Sequence, residues 1–162
     1  MANKNPLRAF VDKVNTYPDW LSRRLITWMF RHKVKLAGTV SLDILGTDGK
    51  QVTYRQRNIK KAQNHIGGVH AAATALLAES ASGFIVGINL PGDKLPLIKT
   101  MHLDYIKRAT GDITVTASLT DEQIALMQSQ DKGDVSVAVT ITDAANIEPV
   151  KAEMIWAWVP KR

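Results

Sequence analysis

Residues 62–92, AQNHIGGVHAAATALLAESASGFIVGINLPG, decide the fold of this 162-residue chain. The stretch carries a single formal charge, Glu79, and its middle, residues 71–88, is apolar on nearly every side. A helix that is hydrophobic all round belongs inside a protein, so these residues predict a long core helix. An integral membrane segment is not expected, because Glu79 lies mid-segment and Asn89-Leu90-Pro91-Gly92 ends the helix.

Apolar and polar residues alternate on both sides of this segment, which is typical of antiparallel strands with one covered face. The predicted strands are residues 34–44, 51–58, 97–106, 113–119, 135–142 and 150–159, with a hairpin turn at residues 46–49 and a short surface helix at residues 120–130. We therefore predict an α+β fold in which a curved antiparallel sheet wraps one long central helix.

The N-terminal segment predicts two further helices, residues 6–15 and 19–32, separated at Tyr17-Pro18. The second helix is basic, with Arg23, Arg24 and Arg31. It fits either an amphipathic helix lying on a membrane or a helix packed on the domain with a solvated basic face. The packed helix is the more common arrangement in globular proteins, so residues 1–33 are interpreted as a helical extension of a main domain at residues 34–162.

The composition narrows the possible chemistry. The chain has no cysteine, which excludes thiol nucleophiles, thiolate zinc sites and disulfides. The first 30 residues contain no uninterrupted apolar stretch, so a cytoplasmic protein is expected. A net charge of +6 suggests an anionic partner. Nucleic acid is not the expected one, because all four tryptophans are predicted in the core or in interfaces: Trp20, Trp28, Trp156 and Trp158.

Glu79 is the first candidate for chemistry. A buried, unpaired carboxylate is costly, so the group should be neutral, hydrogen-bonded or in use. If Glu79 is a buried base, desolvation of its charged form raises its pKa. The structural alternative is a core glutamate that bonds a neighbouring serine or a backbone group.

The turn before the helix, NHIGGVH at residues 64–70, is the second candidate. Gly67 and Gly68 allow a sharp turn and a close approach of ligand to backbone. Free N–H groups around His70 and Ala71 can bind a developing oxyanion, and Asn64 can orient a water or a carbonyl. A simple capped turn is the alternative. No metal site is predicted, since His65 and His70 are five residues apart across the loop-to-helix junction and have no cysteine partner nearby.

The spacing of these two candidates has a geometric consequence. Eight residues separate Ala71 from Glu79, which is about 12 Å along a helix axis. A catalytic group must come within about 3–3.5 Å of its reacting atom. Glu79 of one chain could meet Ala71 of another only if two such helices ran antiparallel across a two-fold axis. A site that uses both features therefore requires at least a dimer.

Two segments give the chain a resemblance to the hotdog fold, and within it to the acyl-CoA thioesterases of the phenylacetyl-CoA and 4-hydroxybenzoyl-CoA thioesterase type. The first is Asn64-His65-x-Gly67-x-x-His70, followed nine residues later by Glu79. The second is LDYIKRATGD at residues 103–112. The resemblance covers about residues 34–160, and it is closer still to an uncharacterised hotdog family grouped with thioesterases.

The resemblance implies hydrolysis of an acyl-CoA or related thioester at a homodimer interface. Glu79 would act as nucleophile or general base, the Ala71 N–H would polarise the carbonyl, and Asn64 and His70 would complete the site. No cofactor is implied, since coenzyme A is part of the substrate, and the dimers could pair into a dimer of dimers. The residues expected to contact the substrate are Gly67, Gly68, Ser82, Gly83, Lys107 and Arg108.

Two further interpretations of the same features stay open at this stage. One is a hotdog hydratase or dehydratase that acts on an acyl thioester, since those enzymes also place a carboxylate and a histidine near the helix. The other is a non-catalytic dimer that binds acyl-CoA. Ala71 departs from the glycine usual in the family, which preserves the N–H but adds a methyl group where the thioester must approach.

Overall fold

The computed structural model describes residues 5–161. Its elements run in chain order through three helices, two strands, one helix, two strands, one helix and two strands. They are α1 (Pro6–Val14), α2 (Asp19–Lys33), α3 (Lys35–Val40), β1 (Asp43–Thr47), β2 (Gln51–Gln56), α4 (Ala71–Asn89), β3 (Lys94–Tyr105), β4 (Ile113–Ser118), α5 (Asp121–Ser129), β5 (Gly133–Asp143) and β6 (Val150–Pro160).

One curved antiparallel sheet holds all six strands, in the order β1-β2-β4-β5-β6-β3. Helix α4 is buried along most of its length against this sheet. The predicted α+β architecture, a curved sheet around one central helix, is therefore confirmed. The two edges of the sheet are β1 and β3, so β3 leaves one row of backbone groups without a neighbouring strand.

Helix α4 is the one helix of residues 5–161 that is long and apolar enough to span a membrane by length and composition. Most of its residues are buried inside the fold. The helix is therefore the core element that the sequence predicts.

The N-terminal helices α1 and α2 form as predicted and pack on the main domain. Their buried residues, Val11, Val14, Ile26 and Phe30, belong to the same core as α4 and the sheet. The side-chain amide of Asn5 donates to the carbonyls of Gly87 and Leu90, both at 2.7 Å, and so joins the start of α1 to the end of α4. The boundary between residues 33 and 34 stays a prediction.

The strand predicted at residues 34–44 is wrong over most of its length, because residues 35–40 form helix α3. The Arg31 side chain donates to the carbonyls of Leu42 and Ser41, at 2.7 and 2.9 Å, and fixes the turn that follows α3. Gly38 packs so closely on α2 that a β-carbon there would lie 2.7 Å from the Arg31 carbonyl oxygen. These contacts between α2 and α3 override the alternating pattern.

The prediction that all four tryptophans lie in the core or in interfaces is half right. Trp156 and Trp158 on β6 are buried. Trp20 and Trp28 on α2 are exposed, at 64% and 66% of their surface. Both lie on the helix face opposite Ile26 and Phe30, which carry the core contacts.

Candidate active site

Glu79 lies halfway along α4 and lines an apolar cavity of about 600 Å³ between α4 and the N-terminal helices. Pro96 of β3 and Trp156 of β6 close the cavity on the side of the sheet. Its wall is mainly aliphatic and aromatic, with Leu7, Phe10, Met29, Phe30 and Phe84. A carboxylate in such a wall faces a space that suits an apolar chain.

Burial raises the pKa of the Glu79 carboxyl, because desolvation disfavours its charged form. The Ser80 hydroxyl acts in the opposite direction, although its geometry falls short of an ordinary hydrogen bond. Glu79 makes no ion pair within residues 5–161. The predicted rise of this pKa is thus confirmed in direction and in cause.

Tyr54 on β2 is a neighbour of Glu79 that the sequence did not single out. Its side chain is fully buried, and its hydroxyl has no hydrogen-bond partner within residues 5–161. Burial raises its pKa far above the ordinary value, and the negative charge of Glu79 adds to the rise. Tyr54 also packs edge-on against Phe30, with ring centroids 5.3 Å apart. In the sequence Tyr54 is one of several inward-facing residues of an alternating strand. The pattern therefore does not distinguish it from an ordinary core residue.

The glycine turn is held by Asn64 and His70. The Asn64 Oδ1 accepts from the N–H groups of Ile66 and Gly68, both at 3.1 Å, and Gly67 adopts a positive φ of 80°. The Nδ1 of His70 accepts from the Ala72 N–H at 3.0 Å, which makes His70 the N-cap of α4. Both side chains therefore stabilise the backbone of the turn and of the helix start. The Asn64 Nδ2 makes no hydrogen bond within residues 5–161.

The N–H of Ala71 is a candidate oxyanion donor, since it has no partner within residues 5–161. On its other side, the Tyr105 hydroxyl donates to the Ala71 carbonyl oxygen at 2.6 Å. Partial burial raises the pKa of Tyr105, so the hydroxyl stays a donor at neutral pH. Tyr105 ends the edge strand β3 and is the aromatic residue of the second motif, so the sequence marks its position but not the bond that its hydroxyl makes.

Within one chain the two ends of the candidate site are separate. Glu79 and Gly83 share the large cavity. His70 lines a smaller one of about 190 Å³ at the start of α4, with Ala73 and Leu76. The turn residues Asn64, Gly67 and Gly68 lie at this end, and the structure of the single chain does not bring them to Glu79.

Ser82 is placed differently from its prediction. It is fully buried, and its hydroxyl is occupied by the carbonyl of Ala78 and the indole N–H of Trp156. The Ser82 hydroxyl therefore forms hydrogen bonds inside the core. It is not exposed for the substrate contact that the sequence predicts. Gly83 lies in the cavity wall, where its bare Cα lets the Trp156 ring approach.

Lys107 and Arg108 lie just beyond the end of β3, and both are exposed. The Lys107 N–H donates to the Pro149 carbonyl, which fixes the backbone of this turn. Neither side chain makes an ion pair within residues 5–161, and their contact with a substrate stays a prediction. No group of three metal-binding side chains occurs in the same range.

A family model described as a domain of unknown function (DUF4442) matches residues 22–159, from within α2 to one residue before the end of β6. No curated protein matches the chain in sequence. The match begins within α2, so most of this helix belongs to the family domain.

Solved structures match the fold closely. A protein of unknown function from Pseudomonas aeruginosa, titled a probable thioesterase, has a TM-score of 0.76 at 23% identity over 90% of this chain and 97% of its own. A thioesterase from Haemophilus influenzae has 0.66 at 10% identity, over 89% and 92%. A mutant thioesterase from Staphylococcus aureus has 0.64 at 18% identity, over 78% and 99%. These likenesses confirm the fold that the hotdog resemblance implies.

Proposed function

We propose that this chain, which belongs to the family described as a domain of unknown function (DUF4442), hydrolyses acyl thioesters such as acyl-CoA. The observation that carries the proposal is Glu79, a half-buried carboxylate with a raised pKa in the wall of an apolar cavity. The names of the thioesterases that share the fold support the same reaction class.

In this reaction Glu79 acts as a general base. It takes a proton from a water molecule, and the oxygen of that water attacks the carbonyl carbon of the thioester. The resulting oxyanion accepts a hydrogen bond from the Ala71 N–H. The carbon–sulfur bond then breaks, the thiol leaves with the proton held by Glu79, and the acyl group leaves as a carboxylic acid. A carboxylate of raised pKa is the better base for the first step.

The site is completed by a second copy of the chain. Ala71 and Glu79 are about 12 Å apart along α4, too far to act on one carbonyl from the same helix. The edge strand β3 exposes large apolar residues, among them Leu95, Leu97 and Met101. An uncovered apolar edge strand favours pairing with another strand. Pairing of two β3 strands about a two-fold axis sets the α4 helices antiparallel, with Glu79 facing the partner's turn.

The acyl group occupies the cavity beside Glu79. The apolar wall of this cavity suits a hydrocarbon chain better than a polar chain. The carbonyl lies at the start of the other copy's α4, where the Nδ2 of Asn64 is available to hold it. Coenzyme A leaves the site past Lys107 and Arg108, whose exposed positive charges suit its phosphates.

Release of free CoA from a panel of acyl-CoA substrates tests this reaction. We expect turnover by the wild type and loss of turnover in Glu79→Gln, which keeps the shape of the side chain but cannot take a proton. Ala71→Pro removes one N–H and is tolerated at the first helical position, so kcat should fall by about 100- to 1000-fold. Ala71→Val is the matched control, because it adds bulk and keeps the N–H.

Mixed dimers test whether the site is shared. A dimer of one Glu79→Gln chain and one Ala71→Pro chain has one intact site if the two groups act from opposite chains. Such a dimer, isolated through two different affinity tags, should recover about half of the wild-type activity, because one of the two symmetric sites is whole. Groups acting within one chain would give no recovery. Hydration of an enoyl-CoA, or binding without turnover, would instead favour the two alternative functions.

A further inference from the structure

The outward face of α2 carries a row of exposed residues four positions apart, and the reaction proposed above does not use it. The row is Trp20, Arg24, Trp28 and His32. The side chains of Trp20 and Trp28 are exposed at 64% and 66%. The Trp28 indole stacks on the His32 ring, with centroids 5.7 Å apart. Two indoles held in the open on one helix face are unusual for a surface that meets only water.

The same face is strongly basic. Three arginines, Arg23, Arg24 and Arg31, line a groove under this face together with the two indoles. The Arg31 guanidinium is paired with Asp43 at 2.6 Å. Arg23 and Arg24 are exposed and make no ion pair within residues 5–161. Arg23 and Arg24 lie between Trp20 and Trp28 in the sequence. A partner that binds this face therefore meets positive charge and aromatic surface together.

A broad groove of about 760 Å³ lies under this face, between α2 and the edge strand β1. Trp20, Trp28, Arg23, Arg24 and Arg55 line it. The cavity of Glu79 lies on another side of α2, where Met29, Phe30 and Lys33 point. The groove is thus separate from the candidate active site. A molecule that binds in the groove would not be the thioester substrate bound beside Glu79.

We propose that this face of α2 docks the protein on the surface of an anionic phospholipid membrane. Indole rings prefer the level of the lipid headgroups, where one side is apolar and the other is wet. Arg23 and Arg24 would contact lipid phosphates, which bind the guanidinium fork well. The buried face of α2 stays packed on the core, so the helix lies on the membrane while the fold remains intact.

Charge complementarity alone would also suit nucleic acid, but the spacing of the two indoles favours lipid. The indoles of Trp20 and Trp28 are eight residues apart, about 12 Å along the helix. That spacing suits two separate anchors in an interface better than a continuous platform for stacked bases.

Co-sedimentation with vesicles tests the proposal. The probes are vesicles of phosphatidylcholine alone and vesicles in which about a quarter of the lipid is phosphatidylglycerol. We expect the wild type to bind the anionic vesicles, to bind less as salt rises, and not to bind the neutral ones. Arg23→Gln with Arg24→Gln should lower the partition coefficient about 30-fold. Trp20→Ala with Trp28→Ala should abolish binding.

Matched controls remove similar groups elsewhere on the surface. Lys13→Gln with Lys132→Gln removes two exposed cations, and Leu126→Ala with Ile147→Ala removes two exposed apolar side chains. Both controls should bind like the wild type, and thermal melts of every variant should show an intact fold. The proposal is overturned if the wild-type protein does not bind anionic vesicles. It is also overturned by tighter binding of an oligonucleotide, or by a change of oligomeric state in the tryptophan variant with vesicle binding unchanged.

Discussion

Trp156 of β6 donates its indole N–H to the hydroxyl of Ser82 on α4 at 2.9 Å, inside the core. That hydroxyl in turn donates to the Ala78 carbonyl at 2.7 Å. The central helix and the sheet are therefore joined by a polar chain next to the cavity of Glu79. The indole ring also forms part of the cavity wall, so this bond positions the wall as well as stabilising the fold.

Replacing Ser82 with Ala should destabilise the protein. The substitution leaves the buried Trp156 N–H without an acceptor, which costs about 1–3 kcal/mol. Urea unfolding measures the loss. Ser80→Ala is the matched control on the same helix, because the Ser80 hydroxyl is buried without a hydrogen-bond partner within residues 5–161. Its removal should cost less than the removal of the Ser82 hydroxyl, and equal losses in the two variants would contradict the assigned role of Ser82.

Two glycines of α4 should respond in opposite ways to substitution by Ala. A β-carbon on Gly83 would lie 2.6 Å from the Trp156 ring, so Gly83→Ala should cost about 1–3 kcal/mol through overpacking. A β-carbon on Gly87 would meet Leu7 at an ordinary 3.7 Å. Gly87→Ala should therefore stabilise the helix by about 0.5–1 kcal/mol. A gain from Gly83→Ala in denaturant unfolding would show that the packing of Trp156 on α4 is wrong.

The stability of the Glu79→Gln variant should depend on pH in a defined direction. The folded pKa of Glu79 is raised above its ordinary value of 4.5, so ionisation costs stability as pH rises from 4.5 through the folded pKa. The glutamine variant lacks this cost. At neutral pH its Tm should exceed that of the wild type, and the difference should shrink below pH 4.5. A difference that is constant across this range would exclude desolvation as its cause.

Asp143 should show the opposite dependence on pH. Its carboxylate accepts from the N–H groups of Thr110, Ala145 and Ile147, and the bond from Thr110 contributes most to lowering its pKa from the ordinary 3.8. A lowered pKa gives stability that is present above pH 3.8 and is lost as pH falls through the folded value. Asp143→Asn should be less stable than the wild type at neutral pH, with a gap that narrows in acid. Thermal melts from pH 2 to pH 7 measure both limits.

The rate of thioester hydrolysis should rise with pH through the pKa of Glu79. The base must be ionised to take a proton from water, so kcat/KM should climb above pH 4.5 and level off where Glu79 is fully charged. The pH profile of CoA release measures this pKa directly. An acidic limb at or below the ordinary glutamate value would mean that another group controls the rate.

The central helix could be predicted from sequence because its signal is local and continuous. Residues 71–88 are apolar on nearly every side and contain one charge, so burial suits them best. The alternating strands from residue 97 onward and the two N-terminal helices also follow from short-range periodicity. The raised pKa of Glu79 could be anticipated for the same reason, because a lone carboxylate in such a helix must be partly desolvated.

Other features depend on contacts between distant residues. Residues 35–40 became a helix because Gly38 packs against the Arg31 carbonyl, a contact that no pattern in the segment reveals. Tyr54 lies near Glu79 because β2 packs against α4. Ser82 bonds to Trp156 because β6 packs against the same helix. The exposure of Trp20 and Trp28 was likewise set by which face of α2 the core accepted. Periodicity along the chain fixes which residues are buried together in one element, whereas packing between elements decides which side chains meet.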